Sequence, residues 1–462
     1  THYALHVVQD SGAYVDVGAV LPMLTMMMAP GTYDIPNLQY SSQSVFTNTT
    51  PVGAFRGAGR PEAAAAIERS VDLFAAEVRL APEVVRRKNL LPAFNETHIN
   101  VFGAAYDCGN FPAALETVLE AAGYDELRAE QERRRDAGER KMLGIGLASY
   151  VEITAIDFSG AGVSEYARVE IKPDGSVIAW TGSTPQGQGH ETAWAMIVAD
   201  QLGVPFDAVA VRFGDTDVVP TRNVTGGSRS AQVAGSAMVS ASIHLVTSAM
   251  EHAAAVLEAS IDDMIFDRAA GTFHVAGTPA RAVTWAEVAV TAAAPLVGIS
   301  DFVQQASTFP FGAHCSVVEV DLDTGGVTIL RHICVDDCGT IVNPLLADGQ
   351  VHGGVASGIA QALLEEIIFD SEGTPMTSNF SDYGIISPTE LPSFERIPMV
   401  TPTPLNPLGA KGIGESGTIG STPAVQNAVV DAVSHLGIRH IDMPCTSQRV
   451  WRAIDAAESA SA

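Results

Sequence analysis

Ala54-Phe55-Arg56-Gly57-Ala58-Gly59-Arg60, followed at once by Pro61-Glu62-Ala63, reads as a glycine-bearing loop that feeds a helix. Proline and an acid in a first turn mark a helix N-terminus, and apolar residues at helical spacing continue from Ala63 to Ala76. Such a loop offers backbone N–H groups at the positive end of a helix, which suits an anion. Three further stretches read the same way: Gln186-Gly187-Gln188-Gly189-His190, Gly226-Gly227-Ser228-Arg229-Ser230 and Asp348-Gly349-Gln350-Val351-His352-Gly353-Gly354. Glycine allows close backbone approach. Gln188 and Gln350 add amides that both donate and accept, while Ser228, Arg229 and Ser230 add hydroxyls and a fixed cation for a pyrophosphate. A single such loop could be no more than a tight turn. Four of them, bearing Gln or Ser, point to a cofactor. His190 and His352 lie in no recognised ligand spacing and are expected to pack or cap.

A fifth glycine-rich turn, Lys411-Gly412-Ile413-Gly414-Glu415-Ser416-Gly417, satisfies the GxGxxG dinucleotide pattern. Its context argues against an NAD-linked dehydrogenase. The upstream Pro402-Thr403-Pro404-Leu405-Asn406-Pro407 is too proline-rich for a buried first strand, and a carboxylate inside the loop repels pyrophosphate. Among small and apolar residues, Glu415 is expected to be partly desolvated, which favours work as a general base. The plainer alternative is a surface glutamate capping a helix that begins near Thr422-Pro423.

Hydrophobic residues make up 47% of the 462 residues and charged ones 17%, a balance for large buried cores rather than disorder. The formal net charge of -27 disfavours nucleic acid and anionic membranes as partners. Five cysteines, an odd number without disulfide-framework spacing, suit a reducing cytoplasm. Cys334 and Cys338 lack a second Cys/His pair in the nearby sequence to complete a zinc site. No uninterrupted apolar run reaches about 18 residues, so no membrane span is expected. The chain opens on Thr1 and runs straight into the strand-like His2 to Gln9, which leads us to expect a further portion upstream.

Periodicity places one helix over Ala113 to Lys141, whose charged end Arg128 to Arg140 reads as a solvated face. Strands are expected over Ala167 to Trp180 and Val209 to Phe213, and a hairpin of Ser316 to Asp321 and Val327 to Val335 around Asp323-Thr324-Gly325-Gly326. Helices are expected over Thr192 to Leu202, Ser236 to Ser260 and Gly353 to Glu366. Strands and helices come in runs rather than strict alternation, so the fold class is α+β.

The loop at Ala54 to Arg60 and the turn at Lys411 to Gly417, in this order and with the three Gln- and Ser-bearing loops between them, resemble the large chain of the molybdenum hydroxylases. This is the family of xanthine oxidase and aerobic carbon monoxide dehydrogenase. The resemblance covers nearly the whole chain and implies two intertwined molybdopterin-binding domains, the C-terminal part of the first over residues 1–126 and the second over 127–462. It implies a molybdopterin cofactor, commonly the cytosine dinucleotide in bacterial members, held by Phe55, Arg56, Gly57, Ala58, Gly187, Gln188, Gly189, His190, Ser228, Arg229, Ser230, Cys338, Gln350, Lys411, Gly412 and Gly414. The molybdenum is held through the pterin dithiolene and takes no protein ligand. Glu415 matches the family's catalytic base in a hydroxylation that draws its oxygen from water.

Electrons in this family leave through two [2Fe-2S] clusters to FAD. The cysteines for such clusters are lacking here, which implies separate iron-sulfur and FAD subunits. Family large chains also carry an upstream domain with another cofactor-contacting loop, an N-terminal portion that is not found before Thr1. Two departures bear on the substrate. Gly57 stands where copper-containing carbon monoxide dehydrogenases offer a cysteine to copper. Ala58 stands where xanthine oxidases stack a phenylalanine on the purine, and the purine-binding arginine has no counterpart around Leu24 to Met26. Aldehydes and electron-poor N-heteroaromatic carbons are the expected small-molecule substrates. Alternatives are a carbon monoxide dehydrogenase-like large chain and a non-catalytic scaffold that keeps the fold.

Overall fold

The computed structural model describes residues 2–157, 160–220 and 225–461. Two four-stranded sheets organise it, and each has a long helix laid directly on it. The first sheet runs in the order Glu395–Met399, Val327–Asp337, Phe311–Asp321 and Lys141–Val151, with the outer Glu395 pairing parallel and the others antiparallel. Both of its faces are covered, so Lys141–Val151 is buried at every residue after the first. One face meets the helix Phe111–Ala122 through Leu143, Ile145, Leu147, Phe311 and Val317. The other meets the helices Pro344–Leu363 and Ser416–Val433 through Met142, Val318, Val320 and Cys334. Gly144 and Gly146 make that second contact possible, since a Cβ on either would stand 2.0 Å from the carbonyl of Ala428 or Ala424. The Ser416–Val433 helix, and hence the turn before it, is therefore fixed against the sheet.

The second sheet runs Leu296–Gln304, Val163–Ile171, Val177–Thr181, Val209–Phe213. It carries the 28-residue helix Ser230–Leu257, whose Ala237, Ala241 and Leu245 pack on Ala167 and Val169. This helix is long and apolar enough to cross a membrane by composition, but 61% of its most apolar stretch is buried inside the protein. The helices His190–Leu202 and Ser230–Leu257 share the same core through Trp194, Ile197, Val198 and Met238. The N-termini of both thus stand at one end of this unit, beside the Glu415 turn.

A third helix joins the site to the first sheet. Arg60–Glu77 is tied down by the fully buried Arg86, which donates to Glu68 at 2.6 Å, to Asp72 at 2.6 Å and to the Leu147 carbonyl at 3.0 Å. Burying such ions is costly unless every lone pair and proton is used, and here Tyr33 supplies another donor to Glu68.

The hairpin, the strands and the α+β class follow the expectations from sequence; the expected Ser236 to Ser260 helix runs Ser230–Leu257, and three other helices have boundaries that differ for identifiable reasons. Ala113 to Lys141 is two helices, Phe111–Ala122 and Tyr124–Asp136, because Gly123 adopts φ 64 between them; Lys141 already begins a strand. Its charged end is not simply solvated, since Arg128 pairs with Asp431 at 2.8 Å and Arg134 with Glu319 at 2.9 Å. The expected Gly353 to Glu366 helix starts at Pro344, where the Asn343 side chain accepts from the Leu346 N–H as a cap. The helix placed near Thr422 starts at Ser416 and carries Pro423 inside it. A proline there forgoes one backbone hydrogen bond.

Candidate active site

One cavity of about 610 Å³ collects most of the residues that the sequence singled out. Its walls are Arg56 from the first loop, Gly187, Gln188 and His190 from the second, and Ser228, Arg229 and Ser230 from the third. Cys338, Gln350, Lys411, Gly412, Gly414 and Glu415 complete it. Phe55, Gly57, Ala58 and Gly189 stand beside the cavity rather than on its wall; Phe55 is 55% exposed. Gln350 reaches the cavity from within the Pro344–Leu363 helix, so the fourth stretch is a helix face and not a loop ahead of a helix.

Glu415 sits at the N-cap of the Ser416–Val433 helix, where its carboxylate is gripped from three sides. The Gly57 N–H donates to Oε1 at 2.9 Å, and Arg60 Nη2 and Ser228 Oγ donate to Oε2 at 2.6 and 2.9 Å. Gly57 can present its N–H this way because its φ is 107, a conformation that favours glycine. A Cβ at Gly57 would lie 2.4 Å from Pro61 Cγ, so the site has no room for a thiol at this position without a backbone change. Close approach also fixes Gly412, where a Cβ would stand 2.3 Å from the Ser228 carbonyl. Arg56 locks the two halves together by donating to the Gln350 carbonyl at 3.0 Å and to the Gly414 carbonyl at 2.5 Å.

A second carboxyl that the sequence did not single out lies directly behind. Glu152 is fully buried; its Oε1 is 2.8 Å from Ser228 Oγ and its Oε2 2.7 Å from Ser416 Oγ. Burial, reinforced by the charge of Glu415, pushes its carboxyl up to about 7, against the opposing effects of Arg60 and the two serines. Its only sequence signal is an acid just after the mostly apolar Lys141–Val151 strand, a pattern that is legible as a buried charge but silent about its partners.

Other predicted residues are placed less directly. Lys411 is buried, with Nζ directed to the carbonyls of Phe309 at 3.3 Å and Cys108 at 3.4 Å, so its ammonium faces the core and not the cavity. Burial pushes the Cys338 thiol up to about 12, leaving it a neutral wall residue and not a thiolate ligand. His190 stacks on Trp194 at 4.9 Å and meets the Gln188 amide at 2.9 Å, and burial lowers its pKa to about 4. All five cysteines are free and buried. Cys334 comes close to His314 and Asp336, but His314 already bonds Asp336 at 3.0 Å and His332 at 3.2 Å.

The cavity fits a phosphate-bearing pterin. Three helix N-termini, those of His190–Leu202, Ser230–Leu257 and Ser416–Val433, meet at it. Gly187 and Gly227 take φ 99 and 62 with open space where a Cβ would be, leaving their backbones bare to a ligand. Buried Nδ1 of His190 has no hydrogen-bond partner among the described residues, a donor or acceptor left for one. The dinucleotide pattern at Gly412 to Gly417 is not in a Rossmann context: the nearest upstream strand ends at Met399, and a carboxylate, Glu415, occupies the N-cap position where pyrophosphate would sit.

A fold of this kind around such a cavity defines a molybdopterin-binding chain, and comparison with known proteins agrees. Two family models described as molybdopterin cofactor-binding domains match residues 1–90 and 117–392. The carbon monoxide dehydrogenase large chain of Hydrogenophaga pseudoflava is 37% identical over 97% of this chain and 58% of its own length. The nicotine 6-hydroxylase large subunit of Paenarthrobacter nicotinovorans is 33% identical over 97% of this chain and 57% of its own length. Among solved structures, a Cu,Mo-CO dehydrogenase in its carbon monoxide reduced state superposes with a TM-score of 0.92 at 33% identity, covering 99% of this chain and 60% of the other. Quinoline 2-oxidoreductase from Pseudomonas putida 86 gives 0.89 at 31% identity, covering 98% of this chain and 60% of the other. The chain belongs to the molybdopterin cofactor-binding family that includes the carbon monoxide and xanthine dehydrogenase large chains. It spans somewhat under three fifths of the length of these two curated relatives.

Proposed function

We propose that this chain is the molybdopterin-binding portion of a molybdenum hydroxylase large subunit, oxidising an aldehyde or N-heteroaromatic carbon with water as the oxygen source. The observation that carries the reading is the Glu415 carboxylate on the cavity wall, held by Gly57, Arg60 and Ser228. The bound molybdenum cofactor supplies the two-electron redox chemistry. The chain's own contribution is to orient and to move a proton. Gln188, His190, Ser228, Arg229, Ser230 and Gln350, with the bare backbone at Gly187 and the turn at Gly412 and Gly414, are the groups proposed to hold the pterin and its phosphates, and the cytosine dinucleotide form is part of this proposal. Arg56 holds the Gly414 and Gln350 backbones in register. Glu415 takes up the proton released as the substrate is hydroxylated.

Several finer points belong to the same reading. An upstream portion of the large subunit would close the cavity, and partner iron-sulfur and FAD subunits would carry electrons away, in a reducing cytoplasm where five free thiols persist. The division between residues 126 and 127 is part of the same proposal; it lies in the first turn of the Tyr124–Asp136 helix, just past the break at Gly123. Gly57 disfavours copper, and with it carbon monoxide as substrate, since neither its side chain nor its backbone allows a thiolate.

The test is Glu415→Gln in the purified complex, with molybdenum and copper measured on the same sample. Turnover should be lost with molybdenum retained and copper absent. Normal turnover would end the proposed role of Glu415, and a native complex without molybdenum would leave the scaffold reading in its place.

A further inference from the structure

The hydroxyl of Ser228 lies between two carboxyl groups, 2.8 Å from Glu152 Oε1 and 2.9 Å from Glu415 Oε2. A serine hydroxyl has one hydrogen and can donate to only one of them. If both carboxyls were ionised, the other contact would set a carboxylate oxygen against a hydroxyl lone pair, in a site where burial magnifies the repulsion. Both contacts are satisfied only when one carboxyl carries a proton and donates it to Ser228 Oγ.

The surroundings say which one. Glu415 already accepts from the Gly57 N–H and from Arg60 at 2.6 Å, contacts in which a carboxylate oxygen, not a protonated carboxyl, is the stronger acceptor. The same guanidinium is 3.7 Å from Glu152, which among the described residues otherwise receives the Ser416 hydroxyl on its far oxygen. Arg56 also feels both carboxyls, and Tyr150, the nearest phenol, is bonded to Asp336. With Glu152 neutral, every contact has its hydrogen. Glu152 donates to Ser228, Ser228 donates to Glu415, and Ser416 donates to the free Glu152 oxygen.

We propose that Glu152 is a positioning residue that carries the pair's proton below neutrality and, through Ser228, holds the Glu415 carboxylate aimed at the cavity. The inference rests on Glu415 being the base. One proton is shared by the pair, no electrons move, and the net charge of the two carboxyls is a single negative. Loss of that proton turns the Ser228 hydrogen toward Glu152 and leaves Glu415 without its third donor. Because Glu152 is raised to about 7 by burial and by Glu415, this happens as the pH rises through neutrality.

The experiment is pH-difference infrared spectroscopy on the full complex purified without molybdenum, comparing wild type with Glu152→Gln and Ser228→Ala. Wild type should show one protonated-carboxyl C=O band that disappears as pH rises through neutrality. The band should be absent from Glu152→Gln, and in Ser228→Ala it should persist with a displaced midpoint. No such band, or one that survives Glu152→Gln, overturns the proposal; an unmoved midpoint in Ser228→Ala overturns the Ser228 link. None of these readings needs turnover, so they stand apart from the fate of the hydroxylase assignment. In the loaded enzyme, Glu152→Gln keeps a donor toward Ser228 but cannot ionise, and the alkaline limb of kcat/KM that this titration imposes should be lost.

Discussion

Introducing a cysteine at position 57 tests the reason given for a copper-free site. Gly57 stands at φ 107, and its missing Cβ would lie 2.4 Å from Pro61 Cγ and 2.7 Å from Pro61 Cδ. The proline ring is buried in the first turn of the Arg60–Glu77 helix and cannot rotate away. Backbone strain of this kind costs about 1–3 kcal/mol. Forcing extra atoms into a packed site costs about another 1–3 kcal/mol, so Gly57→Cys should lose roughly 2–6 kcal/mol in all. Relief must come from moving the loop, and the Gly57 N–H that holds Glu415 at 2.9 Å moves with it. The assay is urea unfolding of the full complex followed by tryptophan fluorescence, with copper measured alongside. Gly53→Cys is the control, because a Cβ at Gly53 meets nothing within 4 Å. Gly57→Cys should unfold well below the control and take up no copper in stoichiometric amount. A variant as stable as the control, with one copper per chain, would refute the steric argument.

Two further outcomes follow from buried charge. Arg86→Met removes the guanidinium that bonds Glu68 and leaves that fully buried carboxyl without this charged partner, at a cost of about 3–5 kcal/mol; adding Glu68→Gln should recover part of it, measured as the shift in urea midpoint. His190 is neutral when folded, its pKa lowered by burial from 6.5 to about 4, so the unfolded chain binds the extra proton between those values. Stability should therefore be complete above about 6.5 and fall as the pH drops toward 4, by up to about 3 kcal/mol. In the cofactor-free complex His190→Gln should flatten that slope, and an unchanged slope would mean that His190 is not the group responsible.

The fold class and most of the cavity wall were legible because their signals are local. A proline-acid first turn after Gly59 marks the Arg60–Glu77 helix, and the Asp-Thr-Gly-Gly turn marks the hairpin, whatever the rest of the chain does. Helix starts governed by side-chain caps or overridden by packing were not. Asn343 before Pro344 is such a cap, and its strength depends on the Leu346 N–H that it reaches. The Ser416–Val433 helix runs through Pro423 because two helices and a sheet enclose it, so tertiary contacts outweigh one lost hydrogen bond. Lys411 illustrates the opposite limit: the sequence places it in the right turn, but the direction of its side chain is decided by the carbonyls of Phe309 and Cys108, residues about 100 and 300 positions away.

The electrostatics of the site were the least legible part, for a reason that the chain separations state. Glu415 meets Gly57 across 358 positions and Arg60 across 355, while Glu152 meets Ser416 across 264. Sequence could mark Glu415 as a partly desolvated carboxyl in a glycine turn, and its side chain is 13% exposed, but the fully buried carboxyl behind it is Glu152, which no motif marks. The two carboxyls differ through geometry alone: one guanidinium is 2.6 Å from one and 3.7 Å from the other. That difference of about an ångström decides which carboxyl keeps the proton, and it is set by where Pro61 and the sheet-bound Ser416 helix leave Arg60 and Glu152. The residue proposed as base can thus be read from a motif, whereas its readiness to act is a property of the packing around it.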